Sequence, residues 1–209
     1  MFKKIKLRRY LLTVFSLIIV LAVFLTVIGT IGLIQTKASL NELTTDILVA
    51  EKLVKACRIE TNTAARVVGD IVNSFNDEDV LILKNQVSVS INNVKDNLIA
   101  LKSKLGANNS LYIEYESAFY TWVDTANKAI SEVEGNNRHL ARLTLLNESA
   151  PAIKELANKA LEIESLTEKS SNEAQAKMSN RITIYMIVLF VTLGLVLLTS
   201  IFYAFRATN

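Results

Sequence analysis

Two long runs without a charged side chain limit what this chain can fold into more than any other feature of its sequence. They cover residues 11–34 and 182–205, and each is 24 residues long. At about 1.5 Å per residue such a run makes a helix of about 36 Å, longer than the roughly 30 Å hydrocarbon core of a bilayer. We therefore expect two transmembrane helices.

The first run could instead be a secretory signal, because the residues before it, MFKKIKLRR, form a basic segment. The apolar part of a signal is shorter, about 7 to 15 residues, and ends at a small-residue cleavage site. This run continues through Gly29 and Gly32 without an A-x-A pattern, and no cysteine follows it at a position suited to lipidation. The sequence favours an uncleaved anchor.

The basic residues beside the two runs predict the orientation in the membrane. Five Lys and Arg residues precede the first run, whereas Arg206 follows the second. Because cytoplasmic flanks are enriched in Lys and Arg, we expect a two-pass protein of the inner or plasma membrane with both termini cytoplasmic. The predicted segments are a cytoplasmic basic tail (1–10), transmembrane helix 1 (11–34), an extracytoplasmic domain (35–181), transmembrane helix 2 (182–205) and the start of a cytoplasmic linker (206–209).

The overall charge of +3 reflects this topology and gives no support for nucleic-acid binding. The 17 Lys and Arg residues of 35–181 stand against all 20 Asp and Glu residues, so the predicted outer domain is acidic. The excess basic residues would lie beside anionic headgroups, which makes the lipid bilayer a predicted partner. With Cys57 as the one cysteine, no intrachain disulfide can form.

The outer segment has helical periodicity throughout and very few glycines or prolines. Apolar residues recur at steps of three and four in four stretches, with breaks at 73–77, 106–109, 135–137 and 147–151. The stripes are Leu40, Leu43, Ile47, Ala50, Val54, Cys57, Thr61, Ala64, Val68, Ile71, Phe75; Val87, Ile91, Val94, Leu98, Leu101, Leu105; Tyr112, Tyr115, Phe119, Trp122, Ala126, Ala129, Val133; and Ile153, Leu156, Ala160, Ile163, Thr167, Ser170, Ala174. The first stripe is expected to continue transmembrane helix 1.

Ser149 or Asn147 is expected to cap the last helix, with Pro151 in its first turn. We predict an all-α fold, a membrane-anchored antiparallel up-down-up-down four-helix bundle flanked by two transmembrane helices.

This layout resembles the N-terminal part of bacterial methyl-accepting chemotaxis proteins that have a four-helix-bundle ligand-binding domain. The resemblance covers the whole chain, and its most specific part is ISEVEGNNRHLARLTLLNESAPAIKEL, residues 130–156. It looks like that family's end of the third helix, short helix rich in Ala and Leu, and E-x-A-P loop before the fourth. In the family a HAMP linker and a signalling region follow, and the resemblance implies that these lie beyond Asn209.

The resemblance implies a transmembrane chemoreceptor sensor module that passes an extracellular signal through the fourth outer helix and transmembrane helix 2. Its implied partners are a small-molecule ligand or a ligand-loaded binding protein outside, and a second copy of the chain in a homodimer. A cytoplasmic kinase complex is implied only through the missing C-terminal region. The alternatives are the same module in a histidine kinase or a cyclic-dinucleotide enzyme, or a stand-alone structural or adaptor membrane protein.

Arg58 and Arg66 are the candidate ligand-binding residues. They lie about 80° apart around the first outer helix, and related aspartate-sensing receptors use first-helix arginines to hold a carboxylate at a dimer interface. The alternative is that both are solvated or salt-bridged. Cys57 is expected to be a small buried residue, or else a contact across a dimer axis. The aromatic stripe of the third helix is expected in the core rather than in a ligand cleft, whereas Tyr120 is expected to be exposed.

We predict neither catalysis, nor a cofactor, nor a metal site. His139 is the only histidine and is predicted on the short helix, so a metal cluster or a Cys/His nucleophile would have to pair it with Cys57 in mid-helix. No Gly-rich phosphate loop, HExxH or GxSxG is present.

Overall fold

The all-α prediction is confirmed in the computed structural model of the chain, which describes the backbone of residues 2–208. The side chains of residues 2–11, 14, 42, 203, 204 and 206–208 are not described. No strand occurs between residues 2 and 208, and three short connections separate the helical runs. The basic tail and Arg206, on which the predicted orientation rests, lie outside the described side chains.

Six α-helices and two π-helical turns make up the described chain. They are α1 Phe2–Glu42, a π-turn at Leu43–Ile47, α2 Leu48–Asn73, α3 Asp77–Leu105, α4 Ser110–Glu134, α5 Arg138–Thr144, a π-turn at Leu145–Ser149, and α6 Ala150–Thr208. The predicted breaks after residues 73, 105 and 134 are confirmed. The predicted helical continuity between the first apolar run and the first stripe is also confirmed, since the chain is helical from Phe2 to Asn73.

The chain divides into two compact units. One, here called the core unit, is Leu43–Asn172, and the other, the apolar unit, comprises Met1–Glu42 and Glu173–Asn209. Helix α6 contributes residues to both. The membrane boundaries at residues 35 and 181 stay predictions.

Side-chain caps begin the inner helices of the core unit. The Asn76 side chain accepts a hydrogen bond from the Glu78 backbone N–H (3.1 Å), and Asn109 accepts one from the Tyr112 N–H (3.2 Å). The acidic residues of the first turn of α3, at positions 77–79, favour the helix N-terminus through the helix dipole. At the other end of α3, Gly106 has φ +92°, a left-handed conformation that a side chain would strain.

One hydrophobic core holds the core unit together, with α2, α3, α4, α5 and the first part of α6 all contributing to it. Its largest fully buried side chains include the aromatic residues of α4, namely Trp122, Tyr112, Tyr115 and Phe119. The prediction that this stripe is core is therefore confirmed. Burial of Cys57 is confirmed as well, whereas Tyr120 is 45% exposed, as expected for a position off the stripe.

The observed burial differs from the predicted apolar stripes at the ends of those stripes. Leu40 and Phe75 were expected in the first stripe but are exposed, Phe75 by 80%. Phe75 lies in the turn after α2, where the Arg138 guanidinium packs over its ring at 5.3 Å from the centroid. On α6 the buried residue after Thr167 is Ser171 rather than Ser170, because a straight helix drifts against a strict seven-residue repeat.

The expected loop at 147–151 is wrong. Residues Leu145–Ser149 form a π-turn that passes directly into α6, so neither Asn147 nor Ser149 caps a free helix end. The Ala150 N–H donates to the Leu145 carbonyl five residues back. Pro151 has no N–H to donate four residues back, and a turn with the wider hydrogen-bond spacing accommodates this loss without breaking the helix.

The apolar unit contains long apolar segments of α1 and α6. The helical runs Phe15–Asn73 and Arg138–Phe202 each contain a window long and apolar enough, by length and composition, to cross a membrane. Within this unit the two helices are in contact. The Tyr185 hydroxyl donates to Gln35 Oε1 (3.1 Å), and Tyr185 packs so tightly on Gly32 that a Cβ there would lie 3.0 Å from the ring.

Candidate functional site

Arg58 joins two helices of the core unit. It lies on α2, and its Nη1 is 3.4 Å from Oε2 of Glu164 on α6. Its side chain is 37% exposed, whereas the Glu164 side chain is 15% exposed. Every other carboxylate that forms an ion pair among the described residues is at least 26% exposed. Exposed pairs contribute little to stability, so the Arg58–Glu164 pair is the one whose loss should matter.

The Glu164 carboxylate is only half satisfied. Its Oε2 faces Arg58, but its Oε1 is buried and has no hydrogen-bond partner in the described part of the protein. A buried carboxylate oxygen without a donor costs free energy. Glu164 would therefore be stabilised by an additional N–H or O–H donor at this point.

A small cleft opens beside Arg58 between α2, α4 and α6. Its cavity volume is about 10 Å³, close to the space needed for one water molecule. Its lining from α2 and α4 carries polar groups, and its lining from α6 is apolar: Arg58, Thr61, Asn62 and Tyr115, then Ile153, Leu156, Ala157 and Ala160. In this conformation the cleft is too small for an organic ligand, so ligand entry would require α2 and α6 to separate.

Tyr115, which lines the cleft, and its neighbour Cys57 are both buried. Burial raises the pKa of the Cys57 thiol to about 12, and a hydrogen bond from Tyr115 partly offsets this effect. Burial is also the main reason that the pKa of Tyr115 lies above its ordinary value, with the neighbouring Cys57 adding to it. Both groups stay protonated near neutral pH, so the Cys57 thiol is not in the reactive thiolate form there.

The structure places Arg58 at the cleft but does not place Arg66 there. Arg66 is exposed two turns further along α2, about 12 Å along the helix axis. No ion pair joins Arg66 to any residue whose side chain is described. A ligand held by both arginines would have to lie along the exposed face of α2. Ligand binding by either residue stays a prediction.

Sequence reasoning did not find Glu164 as the partner of Arg58. Glu164 follows the buried Ile163, and this position beside the apolar stripe of α6 was the available signal. His139 is exposed on α5, while Cys57 is buried in α2 with its Sγ 3.9 Å from the Val94 carbonyl oxygen. Among residues with described side chains, no group of three or more His, Cys, Asp or Glu is arranged to hold a metal ion.

The chain matches no protein-family model and no curated protein sequence. The chemoreceptor interpretation accordingly rests on the layout of the sequence and on the packing described above.

Proposed function

We propose that this chain is a transmembrane sensor module of the chemoreceptor type. In this proposal the core unit is an antiparallel four-helix bundle outside the cell membrane, anchored by the apolar segments of α1 and α6, with both termini in the cytoplasm. The module binds an extracellular small molecule or a ligand-loaded binding protein and performs no catalysis. It acts as a homodimer and passes the signal to a cytoplasmic signalling region.

The observation that carries the proposal is that helix α6 belongs both to the hydrophobic core and to an apolar segment long enough to cross a membrane. Helix α6 buries Leu156, Ala160 and Ile163 in the core, and its later residues form the second apolar segment. The chain is helical between these regions, from Ala150 to Thr208. A shift of α6 against the core can therefore be passed along a continuous backbone, which is a known mode of switching in packed helices.

The packing of α6 becomes more polar after Ile163, which supports movement there. The next buried positions on this helix are Thr167 and Ser171. Small polar residues contribute less apolar contact than Leu or Ile, so sliding of α6 at this level costs less. The Arg58–Glu164 pair lies just before this region and would hold α6 to α2 until a ligand competes for Arg58.

Topology can be tested by single-cysteine labelling, because Cys57 is the only native cysteine. In a Cys57→Ala background, cysteines introduced at exposed positions of the core unit, such as Asp96, should react with a membrane-impermeant maleimide in intact cells. Cysteines at Lys3 and Thr208 should react only after the cells are permeabilised. Labelling of Lys3→Cys in intact cells would overturn the proposed orientation.

Signalling can be tested in a chimera that joins residues 1–209 to the HAMP linker and signalling region of a chemoreceptor, in cells without other receptors. Disulfides between cysteines placed in 48–61 of α2 and 160–172 of α6 should fix the kinase output. Disulfides between α3 and α4 are the matched control and should leave it unchanged. A response to attractants that survives every α2–α6 crosslink would reject the sliding mechanism. A chimera that reaches the membrane but gives constant output would favour a structural or adaptor role.

A further inference from the structure

The apolar unit contains a cleft between its two helices that the proposed function does not use. Its volume is about 320 Å³, and its walls come from α1 and α6. The wall residues are almost all apolar, including Leu25, Gly29, Leu33, Met186 and Leu189. An empty apolar cleft of this size is unfavourable in water, and inside a bilayer it would be filled.

The shape of the cleft suits a flexible chain better than another helix. Helices pack closely in membranes where small residues meet, but Gly32 is already covered by the Tyr185 ring. Gly29 is the remaining small wall residue, and its neighbours are long side chains such as Leu25 and Leu33. A second backbone cannot come close to such a surface, whereas a lipid acyl chain can lie between the side chains.

The cleft ends at a cluster of polar groups. Thr36 lines this end, and just beyond it the Arg181 Nη1 donates to Ser39 Oγ (3.0 Å). Arg181 is four residues before Tyr185, so the two side chains share one face of α6. The positive charge of Arg181 thus lies near the polar end of the apolar cleft.

The apolar unit has acidic residues only at its boundaries, Glu42 and Glu173, and no ion pair to Arg181 occurs among the described side chains. Residues 1–41 and 174–209 contain no Asp or Glu at all. The Arg181 side chain is exposed, and its described hydrogen bond goes to a neutral hydroxyl. A guanidinium with free N–H groups is well suited to a phosphate, which it can bind through two parallel hydrogen bonds.

We propose that this cleft is a phospholipid site, in which one acyl chain lies between α1 and α6 and the lipid phosphate binds Arg181. The inference rests on the proposed membrane function, because it requires the apolar unit to lie in a bilayer. It adds a bound lipid whose presence would hold the two helices in one arrangement.

The site can be tested on the full chain by native mass spectrometry after release from nanodiscs of phosphatidylglycerol and phosphatidylcholine. Gly29→Leu should fill the cleft, because nothing lies within 4 Å of a Cβ at that position. The matched control is Gly194→Leu, where a Cβ also meets nothing within 4 Å but the residue does not line the cleft. Each buried methylene changes affinity by about fourfold, so losing two of them should lower lipid retention about tenfold or more in Gly29→Leu only.

A second variant tests the proposed contact between the lipid phosphate and Arg181. Arg181→Gln keeps a hydrogen-bond donor for Ser39 but removes the charge, and it should lower retention of both lipids. Added inorganic phosphate should not displace the lipid, since the acyl chain supplies much of the affinity. Equal retention in wild type, Gly29→Leu and Arg181→Gln would overturn the lipid site.

Two other outcomes distinguish failure of the lipid site from failure of the proposed membrane function. If Gly29→Leu changes the oligomeric state and leaves lipid retention unchanged, the cleft is occupied by a second copy of the chain and the lipid site is wrong. If the wild-type chain does not enter nanodiscs at all, the membrane function and the lipid site both fail. Trp122 fluorescence verifies that each variant keeps a folded core.

Discussion

Arg58 on α2 and Glu164 on α6 are joined by an ion pair in which the cation is far more exposed than the anion. The two partners are therefore unequal in what their removal costs. Water can solvate Arg58 without Glu164, but a largely buried carboxylate without its cation has no comparable compensation.

Arg58→Met should destabilise the core unit more than Glu164→Gln does. We expect a cost of about 1–2 kcal/mol for the first, below the value for a fully buried pair because Arg58 is partly in water, and less than about 1 kcal/mol for the second. The measurement is urea unfolding in detergent, followed by the fluorescence of Trp122. The double variant should recover part of the loss; a larger effect of Glu164→Gln would contradict this explanation.

Phe119→Ala should be among the most damaging single substitutions. Its ring is fully buried in the core, and truncation of a buried Phe costs about 3–5 kcal/mol through lost contacts and the cavity left behind. The neighbouring Tyr120 is exposed, and its ring and that of Phe119 form a T-shaped pair with 5.3 Å between centroids. Tyr120→Ala is the matched control and should cost about 1 kcal/mol or less. The same unfolding assay compares the two; equal losses would mean that the burial pattern is wrong.

Replacing Gly106 or Gly69 by alanine should change the stability of the protein in opposite directions. Gly106→Ala forces a side chain into the left-handed conformation at the end of α3 and should cost about 1 kcal/mol. Gly69 lies within α2, where a Cβ meets nothing within 4 Å, so Gly69→Ala should stabilise the helix by about 0.5–1 kcal/mol. The urea midpoints of the two variants should lie on either side of wild type. A shift of both in one direction would be inconsistent with this backbone description.

Stability of the core unit should fall as the pH rises above about 9. Burial raises the pKa of Cys57 from its ordinary value of 9.0 to about 12. The unfolded thiol therefore loses its proton first, and the stabilisation present below pH 9 is lost progressively as the pH rises towards 12. Burial raises the pKa of Tyr115 and Tyr112 as well, with the same sign.

The check is the urea midpoint measured from about pH 8 to about pH 10, below the ordinary range of lysine. Cys57→Ala should flatten this dependence, and Tyr115→Phe should flatten it near the upper limit. Tyr120→Phe serves as the exposed control. An unchanged slope in Cys57→Ala would show that the thiol does not contribute.

Much of the fold could be predicted because local chemistry decides it. The turn-forming residues around Gly106 and Gly135 gave the helix ends, and the spacing of the apolar residues on α4 gave its buried face. The errors occurred where a residue's own preference competes with its neighbours. Phe75 is apolar but follows the last turn of α2, and Pro151 suggests a helix start although a π-turn carries the helix past it.

The candidate site was less predictable because it depends on contacts between distant residues. Arg58 could be selected from charge and helix position alone. Its pairing with Glu164, more than a hundred residues later, depends on the register between α2 and α6, which no local pattern specifies. The cleft between α1 and α6 was missed for the same reason, since residues of both helices line it.

The π-turn at Leu145–Ser149 has a consequence for how this chain can vary in length. A π-turn accommodates one more residue than an α-helical turn while the helices on either side keep their faces. Deleting one residue between Thr144 and Ala150 would thus leave the buried positions Ala141 and Leu156 facing the core. Natural variants that are one residue shorter here would differ at this turn and nowhere else in their packing.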